Sequence, residues 1–201
     1  MRIGVLALQG AFREHVQALQ RLGAEAVEVR LPSDLDGLDG MIVPGGESTT
    51  IRQLMTEYGL LEPLAAKVAS GLPVLGTCAG LIVAARRVDG QVLPGLSGLD
   101  IDVSRNAFGR QVDSFETDLS IPVLGEKAFH AVFIRAPVVE SVDPQVEVLA
   151  ALPDGRIVAV RQGNVIGIAF HPELTVDDRL HQYFLNVVSE RMPVSSTVRS
   201  G

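Results

Sequence analysis

The sequence has one cysteine, no tryptophan and no excess of basic residues. A single cysteine cannot build an internal disulfide framework, which favours the reducing cytoplasm as the location. The formal net charge of −7 argues against nucleic acid as the main partner, because binding to phosphates needs a surplus of cations. The first apolar run breaks at Gln9 and is too short for a signal peptide or a membrane span, so we expect no membrane partner.

The abundant residues are small and aliphatic. Hydrophobic residues make up 47% of the 201 residues, and aromatic residues only 4%. Val, Leu, Ile, Ala and Gly are typical of buried parallel strands and of helices packed closely on a sheet, as in α/β proteins. A chain of this length buries about 70% of its unfolded surface, which is enough for one core. We predict a single domain over residues 1–190 and a disordered polar tail over residues 191–201.

Strand-like and helix-like segments alternate in the first part of the chain. The short apolar runs lie at residues 2–8, 25–31, 40–46 and 73–76. Such alternation predicts a mostly parallel sheet that helices cover on both faces. After about residue 88, short strand-like pieces joined by "PDG" and "QGN" turns predict antiparallel strands in the C-terminal half, and a helix follows them.

The single cysteine, Cys78, lies in the stretch "VLGTCAGLIV" (residues 74–83), where a buried strand turns directly into a helix. A helix N-terminus favours the thiolate, and the small neighbours Gly76 and Gly80 permit a tight turn that presents the side chain at the sheet edge. The N–H of Ala79 would then face a developing oxyanion. The alternative is a small buried side chain without a chemical role, which is common for a free cysteine.

A cysteine nucleophile needs a base, and the sequence offers four histidines. His171 ends the apolar run "VIGIAF", at the same predicted sheet edge as Cys78. In an extended segment residues i and i+2 share a face, so the carboxylate of Glu173 is predicted to hold one imidazole nitrogen while the other faces the thiol. The remaining histidines lack an acidic residue at a useful spacing, and we do not predict them to be the base: His15, His130 and His181.

The stretch "MIVPGGESTTI" (residues 41–51) places two glycines between a strand and a helix. Gly45 and Gly46 allow the backbone to approach a ligand closely, and their N–H groups would supply the second oxyanion donor. We expect Ser48 or Thr49 to cap the helix that follows, and a plain strand-to-helix turn with Ser48 as the cap is the alternative to a ligand-binding loop. A Walker-type phosphate loop is excluded, because no Gly-Lys-Ser/Thr sequence follows.

These segments together resemble the class I, triad-type glutamine amidotransferases. That family has a G-x-C-x-G turn, an upstream P-G-G loop and a late H-P-E, which here are "GTCAG", "PGGESTTIRQL" and "AFHPELT". The segments "GVLALQGAFREH", "RNAFGRQVDSFE", "VFIRAP" and "GRIVAVRQG" further resemble the glutaminase subunits of pyridoxal 5′-phosphate synthases. The resemblance runs from Gly4 to Thr175 in the family's order.

The resemblance implies a three-layer, flavodoxin-like α/β fold and hydrolysis of L-glutamine to L-glutamate and ammonia. It implies Cys78 as the nucleophile, His171 as the general base and acid, and Glu173 as the residue that orients His171. It also implies an oxyanion hole at Gly46 and Ala79, and neither a metal nor an organic cofactor. The positions that match the family's glutamine-contacting residues are Gly46, Glu47, Ser48, Arg105, Ile134 and Arg135.

The resemblance further implies a partner protein. Ammonia would pass through a channel to a synthase subunit that makes pyridoxal 5′-phosphate from ribose 5-phosphate and glyceraldehyde 3-phosphate. We expect the segment at Gln9 and Gly10 to contact that synthase and to make hydrolysis depend on docking. Three alternatives remain open: a glutaminase subunit of a different amidotransferase, a non-catalytic glutamine-binding regulatory subunit, or a related hydrolase with the same cysteine turn.

Overall fold

The computed structural model describes residues 1–105 and 114–191. Most of the segment "RNAFGRQVDSFE" and residues 192–201 of the predicted tail lie outside the described residues. Arg191, the first residue of that predicted tail, is the last residue of a helix. Within the described ranges, no helix is long and apolar enough to cross a membrane.

Strands and helices alternate in the first half of the described chain, and strands dominate the second half. The strands are β1 (Arg2–Leu6), β2 (Glu25–Val29), β3 (Gly40–Val43), β4 (Val74–Thr77), β5 (Ala85–Val88), β6 (Gln91–Val92), β7 (Leu99–Ser104), β8 (Ser114–Leu119), β9 (Phe129–Ile134), β10 (Val138–Val142), β11 (Glu147–Ala151), β12 (Ile157–Gln162) and β13 (Val165–Ile168). The helices are α1 (Phe12–Arg21), α2 (Ser48–Glu57), α3 (Leu61–Ala69), α4 (Ala79–Ala84) and α5 (Arg179–Arg191).

One large sheet forms the centre of the fold. Its strand order is β2-β1-β3-β4-β13-β12-β10-β7-β5-β6, and β11 pairs with β12. Neighbours are parallel from β2 to β13 and antiparallel from β13 through β12 and β10 to β7. Strands β8 and β9 form a separate antiparallel pair. The predicted parallel sheet, extended by antiparallel strands from the C-terminal half, is confirmed.

Helices cover both faces of the parallel part of the sheet. The chain moves from β1 to β2 in one direction and from β3 to β4 in the other, so right-handed crossovers place α1 opposite α2 and α3. Helix α4 packs beside α2. Helix α5 lies on the side of α1, where Phe184 and Val188 fill the space above Gly40 of β3. All residues of β3, β4 and β13 are buried, as strands covered on both faces should be.

Three neighbouring parallel strands end together at one edge of the sheet. Thr77 at the end of β4 pairs with Ile168 at the end of β13. The N–H of the next residue, Cys78, still donates to the carbonyl oxygen of Ile168 at 2.8 Å. Strand β3 ends beside β4, so the P-G-G loop that follows Val43 emerges at the same edge. This edge therefore collects the loops that carry the predicted site.

Candidate active site

Cys78 lies at the turn between β4 and α4, in a backbone conformation that L-residues rarely adopt. Its φ is 50° and its ψ is −106°. Glycines on both sides make this turn possible: a β-carbon at Gly80 would lie 1.9 Å from the carbonyl oxygen of Val43, and one at Gly76 would lie 2.6 Å from that of Gly80. Larger residues do not fit at either position, and the strained turn holds the sulfur at the sheet edge.

His171 is held against Cys78 by the segment that follows β13. Its N–H donates to the carbonyl oxygen of Val132 in β9 at 2.9 Å, and its imidazole lies close to the Cys78 side chain. Its Nδ1 lies 2.7 Å from Oε1 of Glu173. The expectation of an extended segment is wrong, since residues 172–174 form a 3-10 turn, and this tighter turn brings the carboxylate back to the ring.

The charges of Cys78 and Glu173 favour the protonated form of the His171 imidazole. Burial alone would lower the pKa of His171, but hydrogen bonds to Cys78 and Glu173 and the charges on these two residues raise that pKa to about 10. Burial would raise the pKa of the Glu173 carboxyl, but the neighbouring rings of His15 and His171 hold it below its usual range. The imidazolium and the carboxylate are therefore the favoured forms at neutral pH.

The P-G-G loop packs directly on the Cys78–His171 pair. A β-carbon at Gly45 would lie 2.5 Å from Cε1 of His171 and 3.2 Å from Cβ of Cys78. Gly46 has a φ of 156°, and a β-carbon there would lie 2.4 Å from Oε1 of Gln9. That oxygen accepts the N–H of Glu47 at 2.9 Å. Gly45 and Gly46 thus allow the loop backbone to reach the thiol, as the sequence pattern predicts.

A cleft of about 470 Å³ opens over the thiol, within the range of about 300–1,000 Å³ that is usual for small-molecule sites. Glu173 does not line this cleft, because it lies behind the imidazole. All the other predicted site residues do, and three residues that were not predicted to bind the substrate join them. The lining residues are Gln9, Gly46, Glu47, Ser48, Cys78, Ala79, Ile82, Asp89, Arg105, Ile134, Arg135 and His171.

Solved structures with this architecture include glutamine amidotransferases. A crystal structure described as that of a glutamine amidotransferase has a TM-score of 0.87 and 54% identity, over 93% of this chain and 98% of that chain. The PurLQS structure from Thermotoga maritima has a TM-score of 0.62 at 22% identity, over 92% of this chain and 97% of that chain, and shares the fold. The predicted α/β fold class is confirmed.

Relatives of known name are similar over nearly the whole chain. The pyridoxal 5′-phosphate synthase subunit PdxT of Moorella thermoacetica is 58% identical over 188 residues, which are 94% of this chain and 100% of that protein. The protein of the same name from Geobacillus kaustophilus is 56% identical over 196 residues, or 98% and 99%. Residues 5–190 match the model of the SNO glutamine amidotransferase family. The chain belongs to this family.

Backbone strain in this glutamine amidotransferase is concentrated at the cleft. Among the described residues, four non-glycine residues have positive φ. Three of them, Cys78, Asp89 and Arg135, line the cleft. Such strain persists where the surrounding structure enforces it, and it is common at functional sites. The turn sequence Asp89-Gly90 is the one signal that would have pointed to Asp89 in advance.

Arg105 reaches the cleft through its contact with Asp89. The carboxylate of Asp89 accepts the Arg105 backbone N–H at 3.0 Å and its Nε at 2.7 Å. Burial alone would raise the pKa of Asp89, but the hydrogen bonds from Arg105 lower it below its usual range. Asp89 therefore stays ionised and fixes the direction of a guanidinium at the rim of the site.

Glu47 caps helix α2 in this glutamine amidotransferase. Its carboxylate accepts the N–H groups of Thr49 at 3.0 Å and Thr50 at 2.7 Å. These bonds, with that from the Thr49 N–H as the largest effect, lower the pKa of Glu47 to about 2. The expectation that Ser48 or Thr49 caps the helix is wrong, because the chain is still extended at residue 47 and the longer glutamate side chain reaches over the first turn.

The histidines that sequence spacing excluded do have acidic neighbours. His130 lies 2.9 Å from Asp118 and 2.9 Å from Glu116, which belong to the adjacent strand β8. His15 and His181 of this glutamine amidotransferase are fully buried behind His171, on the side of Glu173. In the part of the chain that the structure describes, no group of three or more His, Cys, Asp or Glu side chains is arranged to hold a metal ion.

Proposed function

We propose that this chain hydrolyses L-glutamine to L-glutamate and ammonia and supplies the ammonia to a synthase subunit. Cys78 is the nucleophile, His171 carries the proton and Glu173 orients His171. The observation that carries the proposal is the line of contacts from Glu173, which is hydrogen-bonded to His171, to Cys78, which lies at a strained turn facing a cleft. The chain's membership of a glutamine amidotransferase family supports the choice of substrate.

The cleft offers charges that suit a free amino acid. Arg105 and Arg135 line one part of it, and a guanidinium pairs well with the α-carboxylate of glutamine. Glu47 and Asp89 also line it, and both carry negative charge at neutral pH. These carboxylates favour the α-ammonium group of the substrate. Ser48 and Ile134 line the part of the cleft where the carboxamide of glutamine would lie. There the Cys78 sulfur lies 3.8 Å from the Ile134 carbonyl oxygen.

The first half of the reaction forms a thioester. The thiolate of Cys78 attacks the carboxamide carbon, and the carbonyl oxygen takes the negative charge. The N–H groups of Gly46 and Ala79 stabilise this oxyanion, and Ala79 is the first residue of α4, where backbone N–H groups are unpaired. When the C–N bond breaks, His171 gives its proton to the leaving nitrogen and ammonia departs.

The second half of the reaction regenerates the thiol. His171, now neutral, takes a proton from a water molecule that attacks the thioester carbon. The same N–H groups stabilise the second oxyanion. The C–S bond breaks, Cys78 leaves as the thiolate, and glutamate is released while His171 remains protonated. No step requires a metal or an organic cofactor, because the proton and the negative charge are carried by residues of the triad and the oxyanion site.

We infer that the ammonia acceptor is the synthase subunit of a pyridoxal 5′-phosphate synthase, which combines ribose 5-phosphate and glyceraldehyde 3-phosphate. Relatives that are 53–58% identical over nearly their whole length bear the name of a subunit of that enzyme, which supports this partner. Residues 1–190 act as one glutaminase domain in this proposal. The net charge of −7 and the single cysteine suit a cytoplasmic complex without nucleic acid or membrane.

Contact between the β1–α1 turn and the active-site loop provides a route for partner control. A β-carbon at Gly10 would lie 1.7 Å from the carbonyl oxygen of Gly45, so the two backbones are in close contact. The side chain of Gln9 accepts the N–H of Glu47 in the same loop. A synthase that docks on this turn would therefore act on the oxyanion site through Gly45 and Gly46.

The test is glutamate release from glutamine by the purified chain, with and without the synthase partner, beside Cys78→Ala. We expect activity that rises with the partner and is lost in the variant. Glutamine binding without turnover in either condition would overturn the proposal in favour of a non-catalytic protein. Activation by the synthase of another pathway, and not by this one, would overturn the choice of partner and leave the glutaminase reaction in place.

A further inference from the structure

Two histidines are buried together behind the triad, on the face of the sheet that α1 and α5 cover. His15 of α1 and His181 of α5 have no exposed surface. Nδ1 of His15 lies 2.9 Å from Nε2 of His181, and the two rings are tilted by 57° with their centroids 5.2 Å apart. One N–H is therefore shared between these nitrogens, and its position sets the tautomer of both rings.

The other nitrogen of His15 points at the triad. Its Nε2 lies 3.4 Å from Oε2 of Glu173 and 3.3 Å from Oγ1 of Thr77, the residue before Cys78. The opposite oxygen of Glu173, Oε1, is the one that lies 2.7 Å from His171. Oε2 is buried and has no hydrogen-bond partner among the described residues, since its 3.4 Å contact with Nε2 of His15 is an ion-pair distance without hydrogen-bond geometry. His15 thus lies next to the carboxylate oxygen of Glu173 that is not bonded to His171.

The tautomer with the proton on Nε2 of His15 satisfies this cluster best. His15 then presents its Nε2–H to Oγ1 of Thr77 and to the nearby Oε2 of Glu173, and its Nδ1 accepts the Nε2–H of His181. Nδ1 of His181, which has no partner among the described residues, is in that case a bare acceptor. The opposite tautomer would turn a lone pair of His15 toward the carboxylate and leave a buried N–H on His181 unpaired, which is the rarer and costlier defect.

We propose that His15 is a positioning residue of the glutaminase reaction, which holds the second carboxylate oxygen of Glu173 and is itself held in the Nε2–H tautomer by His181. The inference rests on the proposed function. The line of contacts then runs from His181 through His15, Glu173 and His171 to Cys78. With His171 bonded to one carboxylate oxygen and the N–H of His15 beside the other, Glu173 keeps one rotation and stays ionised while His171 gains and gives its proton.

Burial keeps His15 neutral, as a fixed donor must be. Burial lowers the pKa of His15, and the charge of His171 adds to that effect, whereas the charges of Glu173 and Glu14 oppose it without reversing it. His15 is therefore an N–H donor over the working pH range and does not compete with His171 for the catalytic proton.

His181 is neutral for the same reason. Burial lowers its pKa to about 3, with a contribution from His15, although Glu173 and Asp178 pull the other way and Arg21 adds to the lowering. A neutral His181 can donate from one nitrogen only. It therefore fixes the shared N–H between the rings in one place.

The first experiment uses Cys78 as its own reporter. Because the chain has one cysteine, the rate of its alkylation by iodoacetamide reports the reactivity of the Cys78–His171 pair. The measurement needs neither glutamine nor a partner. In His15→Leu, Glu173 loses a donor and takes up a proton more readily, so the acid limb of the rate should move up by about one pH unit. At a pH below the acid-limb midpoints of both wild type and His15→Leu, the alkylation rate of the variant should be about tenfold lower than that of wild type. His15→Gln keeps an N–H near the same point and should stay within about threefold of wild type.

A matched control separates positioning from packing. Leu19 is fully buried one turn further along the same helix α1, so Leu19→Ala disturbs the helix without removing a contact to Glu173. It should leave the acid limb in place. With partner and glutamine present, His15→Leu should lower kcat and leave KM unchanged, because His15 does not line the cleft. An unchanged acid limb in folded His15→Leu, or an equal shift in Leu19→Ala, would overturn the proposal.

A second experiment needs no variant. In the wild-type chain labelled with ¹⁵N-histidine, long-range proton–nitrogen spectra report the tautomer of each neutral ring. We expect the Nε2–H form for His15, and a finding of the Nδ1–H form would overturn the proposal even if every His15 variant failed to fold. A shifted acid limb in His15→Leu combined with no glutamate release by the wild type would refute the proposed function and leave the contact of His15 with Glu173 standing.

Discussion

Gly10 and Gly45 are in backbone contact so close that a β-carbon at Gly10 would lie 1.7 Å from the carbonyl oxygen of Gly45. Gly10 also has a φ of 92°, in the region that favours glycine. On its other side Gly45 packs on the ring of His171. A displacement at the β1–α1 turn therefore reaches His171, the proposed catalytic base, through a single intervening residue, since close-packed groups transmit strain.

The contact predicts that Gly10→Ala loses activity out of proportion to stability. The methyl group must push the Gly45 carbonyl away, which moves the oxyanion loop, and we expect kcat to fall at least about tenfold. Gly23→Ala is the matched control, because Gly23 has a φ of 76° and open space around it. Gly23→Ala should lose about 1 kcal/mol in urea unfolding from backbone strain alone, and Gly10→Ala should lose more because its β-carbon also clashes with backbone. Equal losses of kcat in the two variants would contradict the prediction.

Glu47 should act on stability through its carboxylate cap and on glutamine binding through its charge. Glu47→Ala removes the acceptor of the Thr49 and Thr50 N–H groups and should cost about 1 kcal/mol in urea unfolding. Glu47→Asn can still cap the helix and should recover most of that loss. If the charge meets the α-ammonium group, KM for glutamine should rise in both variants. A normal KM in Glu47→Asn would restrict Glu47 to the cap.

Local sequence patterns are sufficient to predict one part of the site. Glycines around Cys78 indicated the strained turn, because a β-carbon at Gly76 would clash with Gly80, which lies in the same short stretch of the chain. The pairing of His171 with Glu173 follows from a separation of two residues. The alternation of apolar runs and helical periodicity was enough to predict which strand ends meet at one edge.

The remainder depends on contacts that spacing does not encode. His15 and His181 are 166 positions apart and meet only because α1 and α5 cover the same face of the sheet. His130 finds its acids across a strand pair, where it is opposite Asp118 in the register. Asp89 enters the cleft because of a positive φ that its side chain tolerates. These partners are set by tertiary packing, so no local window of sequence contains them.

Asp89 should affect glutamine affinity through Arg105. Asp89→Asn keeps a residue that tolerates positive φ but removes the charge that holds the Arg105 guanidinium. The pair is partly exposed, so its contribution is small, and we expect KM to rise about twofold to fivefold with kcat nearly unchanged. Asp154→Asn is the matched control, because Asp154 pairs with Arg156 outside the cleft. A fall in kcat without a change in KM would contradict a role in binding.

The buried His181 predicts how acid weakens the fold. Histidine in the unfolded chain titrates near pH 6.5, whereas burial lowers the pKa of His181 in the folded chain to about 3. Between these values the unfolded state binds one more proton than the folded state, so stability must fall as the pH drops below 6.5. The slope for one such group is about 1.4 kcal/mol per pH unit, which gives a loss of about 2 kcal/mol between pH 7.5 and 5.

His181→Leu should remove that loss, because leucine has no proton to take up when the chain unfolds. Urea unfolding of wild type and variant at pH 7.5 and 5 measures the difference in acid sensitivity independently of the packing cost, which is the same at both pH values. His130→Leu is a control of opposite sign: Asp118 and Glu116 raise the pKa of His130, so its contribution is present below pH 6.5 and is lost as the pH rises. That variant should become more acid-sensitive, and an acid sensitivity of His181→Leu equal to that of wild type would show that His181 is protonated in the folded chain.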